Sequence, residues 1–499
     1  MTVMVWVVVV ALILELGLHF VGVLWRRRRV VAPACAFVTA FAAGMLVTAH
    51  FTAFSVLLGI ISLYRIFNMI RVIEERMHER YLRHSTRRTS IVLIGLQSAL
   101  AAVWWAWEVW QPPAQVVWAV IAGLQLLVAF VLFAALLRRL KHTAWPVTGP
   151  HIADAGLPTI TVAIPARNET DDLQECLRSV IDSNYPKLEV LVLDDCSQTA
   201  RTPEIIRSFA QAGVRFVQGE EPKSTWLAKN QAYDRLLQAA SGEYVVFCGV
   251  DMRFSRDSLR QLVTLTLAKH KDMLCVLPWR LEAAKGFALT QAMRYWWELV
   301  PPRRLLHRPP VLSTCWIARK DALTKAGGFA AVARTIVPEA FFARQLAASD
   351  MYSFVRASAR SGIQSTKSTA AQQVTAIRTR YPQLRRRPEN VCTLFLGQVL
   401  FFILLFLMVI GGAWLSVGWI AFILAVAASL LLIATYQLLS LSTRTGNWWF
   451  GLTGLLAGTV YDIGLVHYSM WRYEFAEVEW KGRNVCIPAM HVIPRLPRV

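Results

Sequence analysis

Runs of more than twenty residues without a formal charge, bordered by clusters of arginine, set the first limit on how this chain folds. Residues 3 to 25 hold one charge, Glu15, and are followed by Arg26, Arg27, Arg28 and Arg29. Val30 to Tyr64 carries no formal charge, and neither does Val391 to Thr443. At ~1.5 Å per residue, a helix needs about 20 residues to cross a ~30 Å hydrocarbon layer. Each of these two longer runs therefore reads as a pair of spans, the first pair turning near His50 to Thr52. Positive charge follows the first run instead of preceding it, which argues for a span with its C-terminal end in the cytoplasm and against a signal peptide.

Two further spans are predicted near 90 to 110 and 115 to 137. Trp104, Trp105, Trp107 and Trp110 with Pro112 and Pro113 mark their outer turn, and Arg138, Arg139 and Lys141 mark the inner exit. Between the two pairs, residues 65 to 88 hold seven Arg and three Glu, a pattern that predicts a basic cytoplasmic loop over 65–89 with a helix lying on the membrane surface. Residues 1–142 thus read as a transmembrane region of about five spans, 391–470 as C-terminal transmembrane or interfacial helices, and 471–499 as a cytoplasmic tail. Within 445 to 470, Asp462 and His467 favour a re-entrant or interfacial piece over a plain span.

The formal charge of +21 raises the question of nucleic acid. Lys and Arg gather beside the apolar runs, however, where cytoplasmic loop bias and anionic lipid account for them, so no nucleic-acid partner is expected. The eight Cys are scattered without a C-x-x-C pair or a His-Cys cluster, and read as free thiols in a reducing compartment.

Residues 150–390 change character. Short Val, Ile and Leu runs near 159–164, 188–193, 214–217, 244–248 and 273–277 alternate with helical patterns, an α/β layout. The stretch from Thr159 to Ser197 reads strand, helix, strand, because Leu173, Leu177, Val180 and Ile181 recur at helical spacing between two apolar runs. Such a crossover implies parallel strands, and ligands of open parallel sheets lie beyond the carboxyl ends. Pro165-Ala166-Arg167-Asn168-Glu169 and Asp194-Asp195-Cys196-Ser197 both fall there. Asp251 follows another strand, and Lys229 and Asn230 open the helix before it, where a cation and a helix start suit phosphate. Carboxylates for a nucleoside and a divalent cation, beside a cation for phosphates, suit a nucleotide-sugar site. They are equally compatible with polar turns and an exposed helix charge.

The ordered segments IPARNE, LDDCS, WLAKNQA, SGEYVVFCGVD, ARKDALTKAGGF, VPEAFFARQL and VEWKGRNV resemble a membrane-bound family 2 glycosyltransferase of GT-A fold. The likeness is to ceramide glucosyltransferase-like and hopanoid or carotenoid lipid glycosyltransferases. It covers residues 159 to about 345 and the tail 478–485. It implies a cytoplasmic GT-A domain between transmembrane regions, in the cell (inner or plasma) membrane, moving sugar from a nucleotide-sugar donor to a lipid acceptor with inversion. By the same resemblance Pro165, Arg167, Glu169, Asp194, Asp195, Lys229, Asn230, Trp480 and Arg483 serve the nucleotide sugar. Asp251 corresponds to the second Asp of D-x-D and would hold the divalent cation, Mg or Mn.

Three departures stand out. The first D-x-D position is Gly249, the base position of the acidic pair Glu339-Ala340 is alanine, and Q-x-x-R-W is reduced to Ile377-Arg378-Thr379-Arg380-Tyr381. Glu339 is the expected substitute base, with Asp350 behind it. The same departures support an alternative, a catalytically degenerate protein that binds nucleotide sugar and regulates a partner. A processive synthase fits less well, having few C-terminal spans for a channel, and a transporter fits less well still, because the spans carry few charges.

Overall fold

The computed structural model describes residues 2–20, 28–49, 52–77, 86–146, 152–280, 288–302, 309–412, 416–443 and 450–485. Among these, five helices precede the first long strand: α1 (Thr2–Phe20), α2 (Arg28–Ala49), α3 (Ala53–Met77), α4 (Thr86–Trp110) and α5 (Ala114–His142). The α/β part follows with β1 (Ile160–Ala166), α6 (Asp171–Ile181), β2 (Leu188–Asp194), α7 (Arg201–Ser208), β3 (Val214–Gln218), α8 (Ala228–Ala239), β4 (Tyr244–Cys248), β5 (Met252–Phe254) and α9 (Ser258–Ala268). It continues through β6 (Met273–Leu277), β7 (Trp279–Arg280), α10 (Ala288–Leu299), β8 (Cys315–Arg319), α11 (Lys320–Lys325), α12 (Pro338–Ala348), β9 (Tyr352–Arg356) and β10 (Ile363–Ser365). Then come α13 (Thr369–Gln383), α14 (Pro388–Ile410, with a π turn at Val399–Ile403), α15 (Trp419–Thr443), α16 (Phe450–Phe475) and the hairpin β11 (Glu479–Trp480) and β12 (Arg483–Asn484).

The main sheet has the order β3-β2-β1-β4-β8-β6-β9. β8 runs antiparallel to both neighbours, so the other strands share one direction and their carboxyl ends form one edge. Alternation along the strands splits the core into two layers. Val162, Ile164, Val190 and Val192 face α6, α7 and α9, whereas Ala163, Leu191, Leu193 and Phe247 face α8 and α10. α6 is amphipathic for this purpose, burying Leu173, Cys176, Leu177 and Val180 at i, i+3, i+4 and i+7 while Asp171 and Asp172 complement the helix dipole in its first turn.

The second layer does not end at the sheet. It is continuous with Ala122 and Ala129 of α5, Phe402 and Leu405 of α14, and Ala421, Ala425 and Ala428 of α15. The alanines let α5 and α15 approach closely, as small residues do between membrane helices. Among the described residues, six helices are long and apolar enough to cross a membrane, within α2, α3, α4, α5, α14 and α15. Arg356 at the end of β9 fastens the sheet to two of them, donating to the carbonyls of Leu140 (2.9 Å) and Ser442 (3.1 Å) near the C-termini of α5 and α15. A guanidinium suits the unpaired carbonyls and negative dipole end of a helix.

The reading of 65–88 as a surface helix and loop is corrected. α3 runs unbroken to Met77, and Arg65 and Arg71 point inward, 4% and 2% exposed. Arg65 pairs with Glu15 of α1, and Arg71 donates to Glu474 of α16 over 2.8 Å. Each buried guanidinium has found a carboxylate distant in sequence, which charge patterning along one segment does not reveal. Residues 78–85 lie outside the described residues. Within 445–470, the described residues from Phe450 on belong to one continuous helix, α16, which is not among the helices long and apolar enough to cross a membrane.

Asp462 on α16 joins four helices. Arg380 Nη2 of α13 lies 2.7 and 2.8 Å from its oxygens, Trp297 Nε1 of α10 lies 3.0 Å away and Gln398 Nε2 of α14 lies 2.9 Å away. Removing one partner of a buried pair strands the other. Asp462→Ala is therefore expected to cost about 3–5 kcal/mol of stability, measured by reversible denaturation in detergent. Combining it with Arg380→Met should recover most of that loss. A single-mutant cost under about 1 kcal/mol, the range of exposed pairs, would contradict the role given to Asp462.

Candidate functional site

At the carboxyl edge of the sheet the chain after β1 and the chain after β2 cross. Arg167 Nη1 donates to the Asp195 carbonyl at 2.6 Å and also to that of Cys196, and Asn168 N–H donates to Ser197 Oγ at 2.9 Å. Asn168 and Cys196 both take positive φ, which the tight turns after each strand require. Asp194 accepts from the backbone N–H and hydroxyl of Ser197, so its carboxylate shapes the turn and Asp195 is the one left to pair with Arg483. Pro165 sits one residue inside the edge, in register with Leu193.

The β11–β12 hairpin roofs this edge. Its turn places Lys481 at φ 49° and Gly482 at φ 75°, the left-handed pair that a two-residue hairpin needs. Lys481 pairs with Glu169 and donates to the Arg167 carbonyl (2.9 Å), while Arg167 Nε returns a bond to the Lys481 carbonyl (3.0 Å). Arg483 pairs with Asp195 (2.7 Å) and with Glu221 (3.0 Å). Burial raises the carboxyls of Glu169 and Asp195 above their ordinary values, against the lowering by Lys481 and Arg483 respectively.

Beneath the hairpin lies a cavity of about 280 Å³ lined by Lys223, Trp226, Lys229, Arg378, Trp480 and Arg483 among others. Lys229 stands at the start of α8, its ammonium 2.6 Å from Glu339 Oε1 and 5.0 Å from the Tyr233 ring centre. Burial lowers its pKa, and Glu339 opposes that shift. The Arg378 guanidinium lies 4.9 Å from the Trp480 ring centre, a cation–π contact. Asp251 follows β4, accepting at Oδ2 from Ser365 (3.0 Å) and at its carbonyl from Thr366 N–H (2.9 Å). A Cβ on Gly249 would fall 2.5 Å from Asp251 Oδ1, so the carboxylate uses room that glycine leaves. Among the described residues no three His, Cys, Asp or Glu side chains gather as a metal site, and the oxygens at hand are those of Asp251 and Ser365. One carboxylate meets the minimum for magnesium when phosphates and water complete its shell.

One sequence expectation is corrected here. Asp350 precedes β9, at the amino edge of the sheet, where its exposed side chain pairs with Lys271, and it is remote from the carboxyl ends. Asn230 is buried and lines the cavity beneath the hairpin, and its amide donates to the carbonyls of Val332, Ala333 and Thr335, holding the loop before α12. Glu339 is wholly buried against Lys229, and its Oε2 has no hydrogen-bond partner among the described residues. In this geometry its carboxylate is paired with Lys229. Sequence reasoning used Arg378 only as part of an eroded motif, whereas its guanidinium lines the cavity.

The model of the family described as Glycosyl transferase family 2 matches residues 161–326. That segment is a family 2 glycosyltransferase domain. Its mixed α/β sheet with flanking apolar helices is GT-A-like. Among similar proteins, the glycosyltransferase AglE of Haloferax volcanii is 34% identical over 99 residues, 19% of this chain and 31% of the relative. The 4,4'-diaponeurosporenoate glycosyltransferase of Staphylococcus aureus is 30% identical over 125 residues, 25% of this chain and 32% of the relative. The chain thus spans about a third of the length of these two relatives. A solved mannosyltransferase from Pyrobaculum calidifontis, in complex with GDP-mannose and Mn2+, aligns with TM-score 0.41 at 17% identity, covering 70% of this chain and 99% of that one.

The hairpin's hold on the domain is testable. Hydrogen bonds to charged groups contribute about 1.5–3 kcal/mol each, so Arg483→Gln with Lys481→Gln is expected to raise amide exchange over 478–485 at least about ten-fold. Unchanged exchange would mean that the ion pairs do not hold it.

Proposed function

We propose that the protein is a membrane glycosyltransferase that moves sugar from a nucleotide-sugar donor to a lipid or lipid-linked acceptor at the cytoplasmic face of the cell membrane. The observation that carries this reading is the cavity at the carboxyl edge of a family 2 glycosyltransferase domain, walled by Lys229, Arg378, Arg483 and Trp480. In this reading Asp195 and the turn around Pro165 and Arg167 receive the nucleoside, with Arg483 shifting from Asp195 as the donor enters. Lys229 faces the diphosphate, where a cation next to a helix start favours negative charge. Asp251 is the residue to hold a divalent cation, which when bound would neutralise charge on the departing diphosphate. Trp480 offers an apolar lid that excludes water from the donor, lowering loss to hydrolysis.

The membrane acceptor is supported by the apolar core shared between the sheet and helices α5, α14 and α15. A cytoplasmic site is supported by Arg138, Arg139 and Lys141 at the end of α5, the helix that leads into the domain. Attack by an acceptor oxygen on the anomeric carbon opposite the diphosphate would invert the sugar. A second reading, a binder without turnover, is favoured by Ala340 at the base position together with the burial of Glu339.

Purified protein given a panel of nucleotide sugars and a total lipid extract is expected to form a glycolipid detectable by mass spectrometry. Tight donor binding with no transfer to any acceptor would favour the second reading, and absence of donor binding would overturn both. Glu339→Gln separates two roles. If Glu339 positions Lys229, donor KM rises several-fold with kcat nearly kept. A fall in kcat of about 10²-fold or more with unchanged donor binding is the signature of a general base instead. Asp251→Ala is expected to abolish the dependence of nucleotide diphosphate affinity on magnesium or manganese in calorimetry, and an undiminished dependence would remove it as the cation's ligand.

A further inference from the structure

We propose that Arg71, in the helical region ahead of the family 2 domain, is a positioning residue for the β11–β12 hairpin and acts through Glu474. The inference rests on the donor-site reading for what the hairpin covers, and on hydrogen-bond geometry for how the hairpin is held. Both α3 and the hairpin lie outside the matched segment 161–326, so the coupling is carried by this chain's own residues.

The hairpin is held at two ends. Its strands pair over two residues each, and a lone two-stranded hairpin is marginal in water at best. At the tip it depends on Lys481 with Glu169 and Arg483 with Asp195. At the base, Ala476, Glu477 and Val478 are all that separate α16 from β11. Val478 is buried, its carbonyl accepts from Val485 N–H at 2.8 Å, and it shares an apolar cluster with Ile61 and Tyr64 of α3. Phe475, the last residue of α16, meets the Phe67 ring of α3 edge-on, 5.0 Å between centres. In the donor-site reading Arg483 leaves Asp195 for the ligand. That loosens the tip and leaves Lys481 and the base to keep Trp480 over the cavity.

Glu474 is the polar lock of that base. Its Oε2 accepts from Arg71 Nε at 2.8 Å and its Oε1 from Tyr381 O–H at 2.5 Å, so one oxygen is held by α3 and the other by α13. Arg71 is oriented in turn by Asn68 Oδ1 (3.1 Å), and the Asn68 amide donates to Ser90 Oγ of α4 (3.1 Å). Next to Glu474, Tyr473 O–H donates to the Arg378 carbonyl (2.7 Å), and the Arg378 guanidinium carries the contact with the Trp480 ring. Hydrogen bonds thus run from α4 through α3 to the root of the hairpin. Arg71, Glu474 and Tyr381 are all buried, and removing the guanidinium leaves a carboxylate without its cation in a dry place. The carboxylate then has to turn toward water, and the end of α16 and the three-residue link move with it.

The test uses the full chain in phosphatidylcholine nanodiscs, as wild type, Arg71→Met, Arg71→Lys, Glu474→Gln, the double variant Arg71→Met with Glu474→Gln, and Arg65→Met. Arg65→Met is the control: it breaks a buried pair on the same helix, but the partners of Arg65 are Glu15, Thr39 and Gln97 in α1, α2 and α4. Amide exchange over 478–485 is read beside exchange in β1, β2 and β4, and UDP and GDP affinities are measured by calorimetry with magnesium. Arg71→Met is expected to raise hairpin exchange at least about ten-fold and to weaken nucleotide diphosphate binding about five-fold or more, with exchange in the strands unchanged. Arg71→Lys keeps the cation and is expected to restore most of both. The double variant is expected to be no worse than Arg71→Met, as for two residues acting as one unit. Unchanged hairpin exchange in folded Arg71→Met, an equal rise in Arg65→Met, no rescue by Arg71→Lys, or additive effects of the two single variants overturn the proposal. So does raised exchange without loss of affinity where wild type binds, since the hairpin then does not serve the donor. If Arg71→Met does not fold, the double variant, which strands no charge, decides by the same exchange measurement. Raised exchange with no nucleotide bound by wild type would sink the donor-site reading and leave the hold on the hairpin standing. Sugar transfer by wild type, with hairpin exchange unchanged in Arg71→Met, would do the reverse.

Discussion

A carboxylate kept from water has to be surrounded by donors, and in this protein meeting that need at Asp462 organises the join between sheet and membrane helices. Arg380, Trp297 and Gln398 come from three different helices to reach it. Their convergence sets the rotation of α13, which turns Arg378 into the cavity, and fixes α16, whose end leads into the β11–β12 hairpin. Arg71 on Glu474, with Tyr381 O–H donating to the same carboxylate at 2.5 Å, ties α3 to this assembly. The geometry of the cavity is thereby inherited from polar contacts within the helical layer.

The second organising fact is an imbalance of charge. Around the sheet's carboxyl edge the acidic groups are already engaged: Glu169 by Lys481, Asp195 by Arg483 and Glu339 by Lys229. Arg378 lines the cavity against the Trp480 ring, with no carboxylate paired to it among the described residues. In the proposed reading Arg483 exchanges Asp195 for the incoming donor, which gives the hairpin a reason to respond to it. Gly249 fits the same picture, since its missing side chain gives Asp251 its room.

How much of this was legible in the sequence depended on how local the physics was. β1, β2, β4 and β6 announce themselves as short apolar runs because strands buried on both faces must be apolar throughout, and β3, at the sheet edge, keeps enough of the pattern in Val214, Phe216 and Val217. β8 and β9 were missed: Cys315-Trp316-Ile317-Ala318-Arg319 and Tyr352-Ser353-Phe354-Val355-Arg356 are brief, and nothing local tells that β8 enters the sheet antiparallel. The polar turns after β1 and β2 and the Trp480 to Arg483 segment were singled out, and the structure brings them together. Asp350 misled because sequence distance from Glu339 says nothing about which edge of the sheet a loop occupies. Arg65 and Arg71 misled for a related reason, their partners Glu15 and Glu474 lying far away along the chain.

The central claim is that a nucleotide sugar binds under the hairpin, between the carboxyl edge of the sheet and Trp480. Photoaffinity labelling of the membrane-embedded protein with azido-nucleotide sugars, followed by peptide mapping, tests it most directly. Label is expected in peptides containing 222–230 and 478–485, competed away by unlabelled nucleotide diphosphate. Competable label confined to other segments, such as the amino edge around Lys271 and Asp350, would contradict it.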